Sequence, residues 1–363
     1  MTVSERNEMV KHFLNELQAK ACNEDYHIDE KQYIEALDKL FETTIWGFRE
    51  ILLVVIIGMK LDPSYRASTG LYDCKPRAIY EGPIKDFLIE KRIPHRKSGP
   101  LNIAKAAPGL DDIWAAQRRD SEVAAQVVNL VKHMERSPEI IDNLGVSLLR
   151  RLIAESIRTD SLSVEIDPTS DPKVLYEFCS TLIKAVPDGG NTPQKIAAFL
   201  LKNYHEAMCT GVVVTGQDDR ASVTSTTSKK PGDINEESST GTVFKVYEIT
   251  VKPFDLARIR DSYDSILQYN RANDTNLDEI IVICRKEDCP DEMKASNVQA
   301  YLGYYEYQNV SYYYLDIFEW ISCRLLHMTR EARRNFHDDL NSYIADINTA
   351  EQVKELWKSL QEQ

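Results

Sequence analysis

Apolar positions recur at three- and four-residue spacing through the N-terminal part of the chain and at two-residue spacing through much of the rest, with the change near residue 210. The stretch MVKHFLNELQAKAC has helical spacing. A long helix is predicted from about Asp29 to Lys60, with Tyr33, Leu37, Leu40 and Phe41 on one face. Residues 61–80 hold Pro63, Gly70 and Pro76 and read as irregular. Further helices are predicted at about 84–91, 111–134, 138–158, 172–185 and 193–209. The last has Thr192 as its N-cap and Pro193 at its first position, where a missing N–H costs nothing.

Beyond Gly211 the pattern alternates. Strands are predicted at Val212–Thr215, Ala221–Thr227, Thr242–Lys252, Glu279–Cys284 and Val310–Leu315, on β-branched and aromatic content. SKKPGDINEESSTG reads as a loop. Phe254–Tyr269 reads as an amphipathic helix through Leu256, Ile259, Tyr263, Ile266 and Leu267, a helix is predicted around Met293–Leu302, and helices fill the C-terminal end. No internal repeat is present. The order from residue 193 is helix, three strands, helix, strand, helix, strand, helices. An α/β mixed-sheet domain at 190–363 is therefore expected behind an all-helical domain at 1–189.

Composition narrows the class. The 363 residues are 43% apolar and 28% charged, enough for a real core and against global disorder. The seven cysteines are scattered and odd in number, and read as free thiols of a cytoplasmic protein. The apolar run Ile51–Met59 is too short to span a bilayer, and MTVSERNEMVKHFLNE reads as a helix start rather than a signal peptide. A net charge of −13 argues against a protein that coats nucleic acid, but leaves room for a local basic cleft. No P-loop or GxGxxG motif is present, and the histidines have no triad or metal spacing.

Chemistry concentrates in the middle strands. Pro231-Gly232-Asp233 lies on a turn, and Glu248, Thr250 and Lys252 alternate along the following strand, on one face. An aspartate beside a carboxylate and a lysine offers oxygen ligands for Mg²⁺ plus one cation, a set suited to phosphodiester hydrolysis. The same residues also fit a solvated hairpin loop with a same-face surface ion pair.

PGDI followed by VYEITVK, within the order helix–strand–strand–strand–helix–strand, resembles the PD-(D/E)xK (restriction-endonuclease-like) nuclease superfamily, and within it type II restriction endonucleases of the SacI-like group. The likeness covers roughly residues 190–320. It implies an Mg²⁺-dependent, sequence-specific endonuclease acting on double-stranded DNA, with Mn²⁺ able to substitute, that leaves 5′-phosphate and 3′-hydroxyl ends. Asp233 and Glu248 would bind metal, and Lys252 would activate water or stabilise charge. Glu206, on the helix before the sheet, resembles an accessory acid. Thr250 stands where the superfamily usually has an acid, and Glu248 is ~13 Å along an ideal strand from Lys252. The second carboxylate is therefore either Glu248 or an acid on the next helix, Asp264 before Asp261. A homodimer would match a palindromic site, a separate methyltransferase would protect the host DNA, and no membrane is involved.

Lys91–Lys105 carries Lys91, Arg92, Arg96, Lys97 and Lys105 with no acid, a local reversal in an acidic protein. With Asn102, and with Arg66, Lys75 and Arg77 upstream, it is expected to contact DNA phosphates, Asn102 reading an adenine edge. A solvated loop with helix-terminal cations is the plainer account. Two rival functions share these features: a DNA-binding regulator whose nuclease-like domain is inactive, and a defence or repair nuclease without site specificity.

Overall fold

The computed structural model describes residues 2–96, 102–217, 230–298 and 300–362. The chain forms two compact units, Met1–Ser161 and Leu162–Gln363.

The first unit is helical: α1 (Val3–Ala21), α2 (Ile34–Glu42), α3 (Gly47–Leu61), α4 (Pro76–Ile79), α5 (Lys85–Glu90), α6 (Asp112–Ala116), α7 (Ser121–Arg136) and α8 (Ile141–Asp160). Every residue of α3 from Gly47 to Met59 is buried. A helix buried on every side has no solvent face to offer, and α1, α7 and α8 pack around it. The single helix expected over 29–60 is broken at 43–46. Thr43 is extended (φ −88°, ψ 147°), and Arg49 turns back to donate from Nε to Leu40 O (2.9 Å) and from Nη2 to Thr43 O (3.3 Å), closing the carbonyl end of α2. The Arg49 guanidinium also pairs with buried Glu155. The helix expected over 111–134 is likewise two, α7 restarting with Asp120 as its cap.

The second unit opens with α9 (Pro172–Ala185) and α10 (Asn191–Ala207). Strands β1 (Val213–Thr215), β2 (Ile234–Glu237) and β3 (Val243–Thr250) follow, then α11 (Leu256–Asn273), β4 (Glu279–Cys284), β5 (Lys294–Val298), β6 (Tyr301–Tyr307), β7 (Val310–Asp316), α12 (Ile317–His327), α13 (Arg330–Ala345) and α14 (Glu351–Gln361). The seven strands form one mixed sheet in the order β1-β2-β3-β4-β7-β6-β5. The pairs β1–β2–β3 and β7–β6–β5 are antiparallel, and β3, β4 and β7 run parallel. The β3-to-β4 connection is the crossover helix α11, as a parallel pair requires.

The unit begins about thirty residues before the expected boundary at 190, because α9 belongs to the sheet's core. Its Leu175, Cys179, Leu182 and Ile183 pack with Tyr247 and Ile249 of β3 and with α10, α12, α13 and α14. On the other face Val246 packs with Ile259 and Ile266 of α11 and with Tyr312 and Tyr314 of β7. Both tyrosines are core, and their hydroxyls donate to Ile259 O (3.2 Å) and Phe254 O (2.8 Å), fixing the start of α11 on the sheet. Two expectations are corrected. INEE, inside the predicted loop, is strand β2, and the helix expected around Met293–Leu302 is β5 and the start of β6. The strand expected at Ala221–Thr227 lies outside the described residues. All seven cysteines are free, and no described helix is long and apolar enough to cross a membrane.

Candidate functional site

Asp233 ends the turn that leads into β2, and the β2–β3 register puts it opposite Glu248. Ile234 pairs with Tyr247, and the next antiparallel step brings Asp233 and Glu248 face to face. Tyr247 and Ile249 point to the α10 side, so Glu248 and Thr250 point to the α11 side. Gly232 makes the close approach possible. A Cβ there would lie 2.4 Å from Val246 Cγ1 and 2.9 Å from Tyr247 O. Behind the turn, Gln194 Nε2 donates to Asp233 O (3.3 Å) and Gly216 O (3.2 Å), which holds the backbone of Asp233 to the β1 end.

The two carboxyl groups face each other across the β2–β3 pair and act on each other electrostatically. Asp233 Oδ2 also accepts from Ile249 N–H (2.9 Å), and Glu248 Oε1 accepts from Ser262 Oγ–H of α11 (3.2 Å). Burial pushes Asp233 above the usual carboxylate range, and the Ile249 N–H pulls it partly back. Burial and then the Asp233 charge push Glu248 well above its ordinary value. The Arg258 guanidinium opposes both shifts. Arg258 Nη1 donates to Thr250 Oγ1 (2.5 Å), and its guanidinium stacks 4.6 Å from the centre of the Phe254 ring.

Of the residues singled out in the sequence, Asp233, Glu248 and Thr250 share this corner. Lys252 does not join them. β3 ends at Thr250, and Lys252 sits in a bend beyond it with an exposed side chain, its N–H donating to Thr250 Oγ1 (3.1 Å). Glu206 is exposed near the end of α10, a helix packed on the opposite sheet face. Its neighbour His205 is the residue turned inward, with Nε2 3.1 Å from Glu236 Oε1, which also accepts from the Tyr247 hydroxyl (2.8 Å). Asp261 and Asp264 are exposed, and Ser262 between them is the α11 residue that reaches Glu248. Arg258 and Ser262 escaped the sequence reading, since an arginine or serine on an amphipathic helix is usually its wet face. The available clue was a cation in the first turn of a helix, where the dipole disfavours it.

Two carboxylates with oxygen donors only could hold a hard divalent cation that keeps most of its waters. Such an ion would offset the burial that raises both acids and the Asp233 charge that raises Glu248 further. Among the described residues, no group of three or more His, Cys, Asp or Glu side chains is placed to hold a metal ion.

In the helical unit the irregular segments 65–75 and 103–110 lie side by side. Leu71 N donates to Pro108 O (3.0 Å), Leu110 N to Ala67 O (2.9 Å), and Tyr72 OH to Ala104 O (3.1 Å). That joins the two groups of expected DNA contacts. Lys75, Asn102 and Lys105 are exposed; so are Arg66, which folds back onto Pro63 O and Tyr65 O, and Arg77, which pairs with Glu81. Arg96 is half-buried against the Trp46 ring, 4.6 Å from its centre. Lys91 and Arg92 pair with Glu90 and Asp160. Lys97 lies outside the described residues. Comparison with protein-family models, with curated proteins and with solved structures finds no match.

Proposed function

We propose that the chain is an Mg²⁺-dependent endonuclease that cuts double-stranded DNA at a specific sequence, as the resemblance to PD-(D/E)xK restriction endonucleases implies. The single observation that carries this reading is the facing Asp233–Glu248 pair on adjacent strands. Like charges are not left at one partly buried point without something to offset them. Asp233 and Glu248 would hold the metal, which when bound takes charge off a phosphate and acidifies water. Ile249 N–H and Ser262 Oγ–H orient the carboxylates. In the hydrolysis a water oxygen bonds to phosphorus, the P–O3′ bond breaks, and the leaving oxygen takes a proton. The element order α10-β1-β2-β3-α11-β4 is of the kind that prompted the resemblance, with β2 at Ile234–Glu237 standing where the sequence reading places Ala221–Thr227. The exposed Lys75, Asn102 and Lys105 of the helical unit suit DNA phosphates and bases. A homodimer and a separate methyltransferase remain part of the same proposal.

A plasmid digest with Mg²⁺ and with EDTA tests the reaction. Discrete bands only with Mg²⁺ support the specific enzyme, and a smear supports a nuclease without site specificity. Asp233→Asn should lower cleavage by several orders of magnitude and leave DNA binding in Ca²⁺ intact; wild-type cleavage by this variant would overturn the site. A second reading is DNA binding without catalysis. It is favoured by Thr250 at the usual acid position and by Lys252 beyond the end of the strand, and DNA binding with no cleavage in Mg²⁺ or Mn²⁺ would establish it.

A further inference from the structure

We infer that Arg258, and not Lys252, is the cation of the Asp233–Glu248 site, set there to face the phosphate of a phosphodiester. The inference deepens the nuclease proposal and rests on it for the identity of the ligand. The position of the guanidinium rests on geometry alone. Lys252 follows the last residue of β3 by two positions, in a bend, with an exposed side chain and no ion-pair partner among the described residues. Arg258 lies on α11, whose start is pinned to the sheet by Tyr312 and Tyr314.

Two contacts hold the Arg258 side chain: its Nη1 donates to Thr250 Oγ1 (2.5 Å), and its guanidinium lies 4.6 Å from the centre of the Phe254 ring. Thr250 shares the α11-side face of β3 with Glu248, which faces Asp233, so these contacts set the guanidinium beside the carboxyl pair. Thr250 is itself fixed, since its hydroxyl donates to Lys252 O (2.9 Å) while accepting from Arg258. The threonine at the position expected to be acidic thus has a role: it carries a hydroxyl that aims the arginine, and the acid stands two residues earlier. Asp255 caps α11 through Ala257 N–H and Arg258 N–H, so Arg258 occupies the first turn. A cation there works against the helix dipole; the N-cap Asp255 offsets it at the helix start, and Thr250 turns it toward the strand face that carries Glu248.

A guanidinium suits this place better than an ammonium. It stays charged at any working pH, and it presents five donors in a planar fork that matches two phosphate oxygens. One donor is used by Thr250. The others could serve the two non-bridging oxygens of a phosphodiester whose phosphorus is attacked beside Asp233 and Glu248. Arg258 also balances the site before DNA arrives, so two acids and one base face the substrate together.

The test pairs cleavage with a measurement that needs neither metal nor substrate. Plasmid cleavage in Mg²⁺ is compared for the wild type, Arg258→Ala, Arg258→Lys and Lys252→Ala. Thermal midpoints are then measured without metal for Arg258→Ala, Glu248→Gln and the double variant, and for the corresponding Lys252 set. Arg258→Ala should cut at least 100-fold more slowly, Arg258→Lys should recover part of that, and Lys252→Ala should lose less than tenfold. In the thermal series the drop caused by Arg258→Ala should shrink by half or more once Glu248 is neutral, while the Lys252 series stays additive. An additive Arg258 series, or loss of cleavage in Lys252→Ala but not in Arg258→Ala, overturns the assignment with the nuclease reading intact. A wild type that never cuts, with the Arg258–Glu248 coupling present, overturns the nuclease reading and leaves Arg258 as the site's cation.

Discussion

Glu50 is 5% exposed, yet its carboxyl has only Tyr80 OH–H (2.7 Å) and Arg96 N–H (2.6 Å) as donors, both to Oε1, and Oε2 has no partner among the described residues. Burial pushes its pKa up to about 7, against the donors and the nearby Arg96 and Arg49 charges. Because the folded value exceeds the unfolded one, the stabilisation is complete below the ordinary carboxylate pKa and is lost as pH rises through about 7. The loss should amount to about 3 kcal/mol at ~1.4 kcal/mol per unit. Denaturation of the wild type at pH 4.5 and pH 8 should show that fall, and Glu50→Gln should remove most of it. An equal pH dependence in the variant would mean the acid is not responsible. The contact would also bear on the proposed DNA binding, because it fixes the backbone of Arg96 while the guanidinium lies over Trp46.

Elements differ in how much of them the sequence alone reveals. The helix at 172–185 and the strand EIIVIC were legible to the residue, since Pro172 follows a capping Asp171 and the strand is an unbroken apolar run. β2 was not. Asn235 and Glu236 have poor strand propensity, and Glu236 is tolerated there only because His205 and Tyr247 come to it from other elements. The turn at Gly232 belongs to the same element. The PGD motif was readable, but the need for its glycine was not, because the atoms it avoids are on β3. Gly232→Ala should cost about 1–3 kcal/mol, the ordinary range for overpacking, and move Asp233 away from Glu248. Chemical denaturation and a cleavage assay would check both effects, and a fully stable, fully active variant would show that the close approach is unimportant.

At the scale of the whole molecule, the boundary decides which fragment stands alone. Residues 162–171 are part of the second unit: Thr169 N–H donates to His337 Nδ1 (3.0 Å), and Arg333 Nε–H to Ser170 O (2.6 Å). Accepting that bond keeps the buried His337 ring neutral, and burial lowers its pKa to about 4. A fragment of residues 162–363 should therefore fold. A fragment of residues 190–363, cut at the boundary drawn from sequence, lacks Cys179 and the core Leu175, Leu182 and Ile183 of α9, these last three each worth roughly 1.5–3 kcal/mol when buried. That loss is comparable with the whole stability of a domain, ~5–15 kcal/mol, so the shorter fragment should be unfolded or aggregated by circular dichroism and light scattering. Two fragments of equal stability would argue against the assignment of α9. Helical spacing announced α9 itself; its allegiance was hidden because an amphipathic face does not say which partner covers it.

The facing of Asp233 and Glu248 has a consequence in time. β2 and β3 are joined by a short connection closed by Ser238 N–H to Thr242 O (2.8 Å), so the two acids can meet as soon as this hairpin forms. The groups that temper them, Arg258 and Ser262, arrive with α11, whose anchors Tyr312 and Tyr314 lie on β7, far along the chain. Such long-range pairing comes late, since loop closure must precede its reward. The chain thus has to pass through a stage in which the repulsion is present and its remedy absent. Glu248→Gln should accordingly speed folding at pH 8 more than it slows unfolding, with a φ-value above ~0.5 and little effect at pH 5. Stopped-flow refolding at the two pH values would show it, and a change confined to the unfolding limb would place the meeting of the acids after the main barrier.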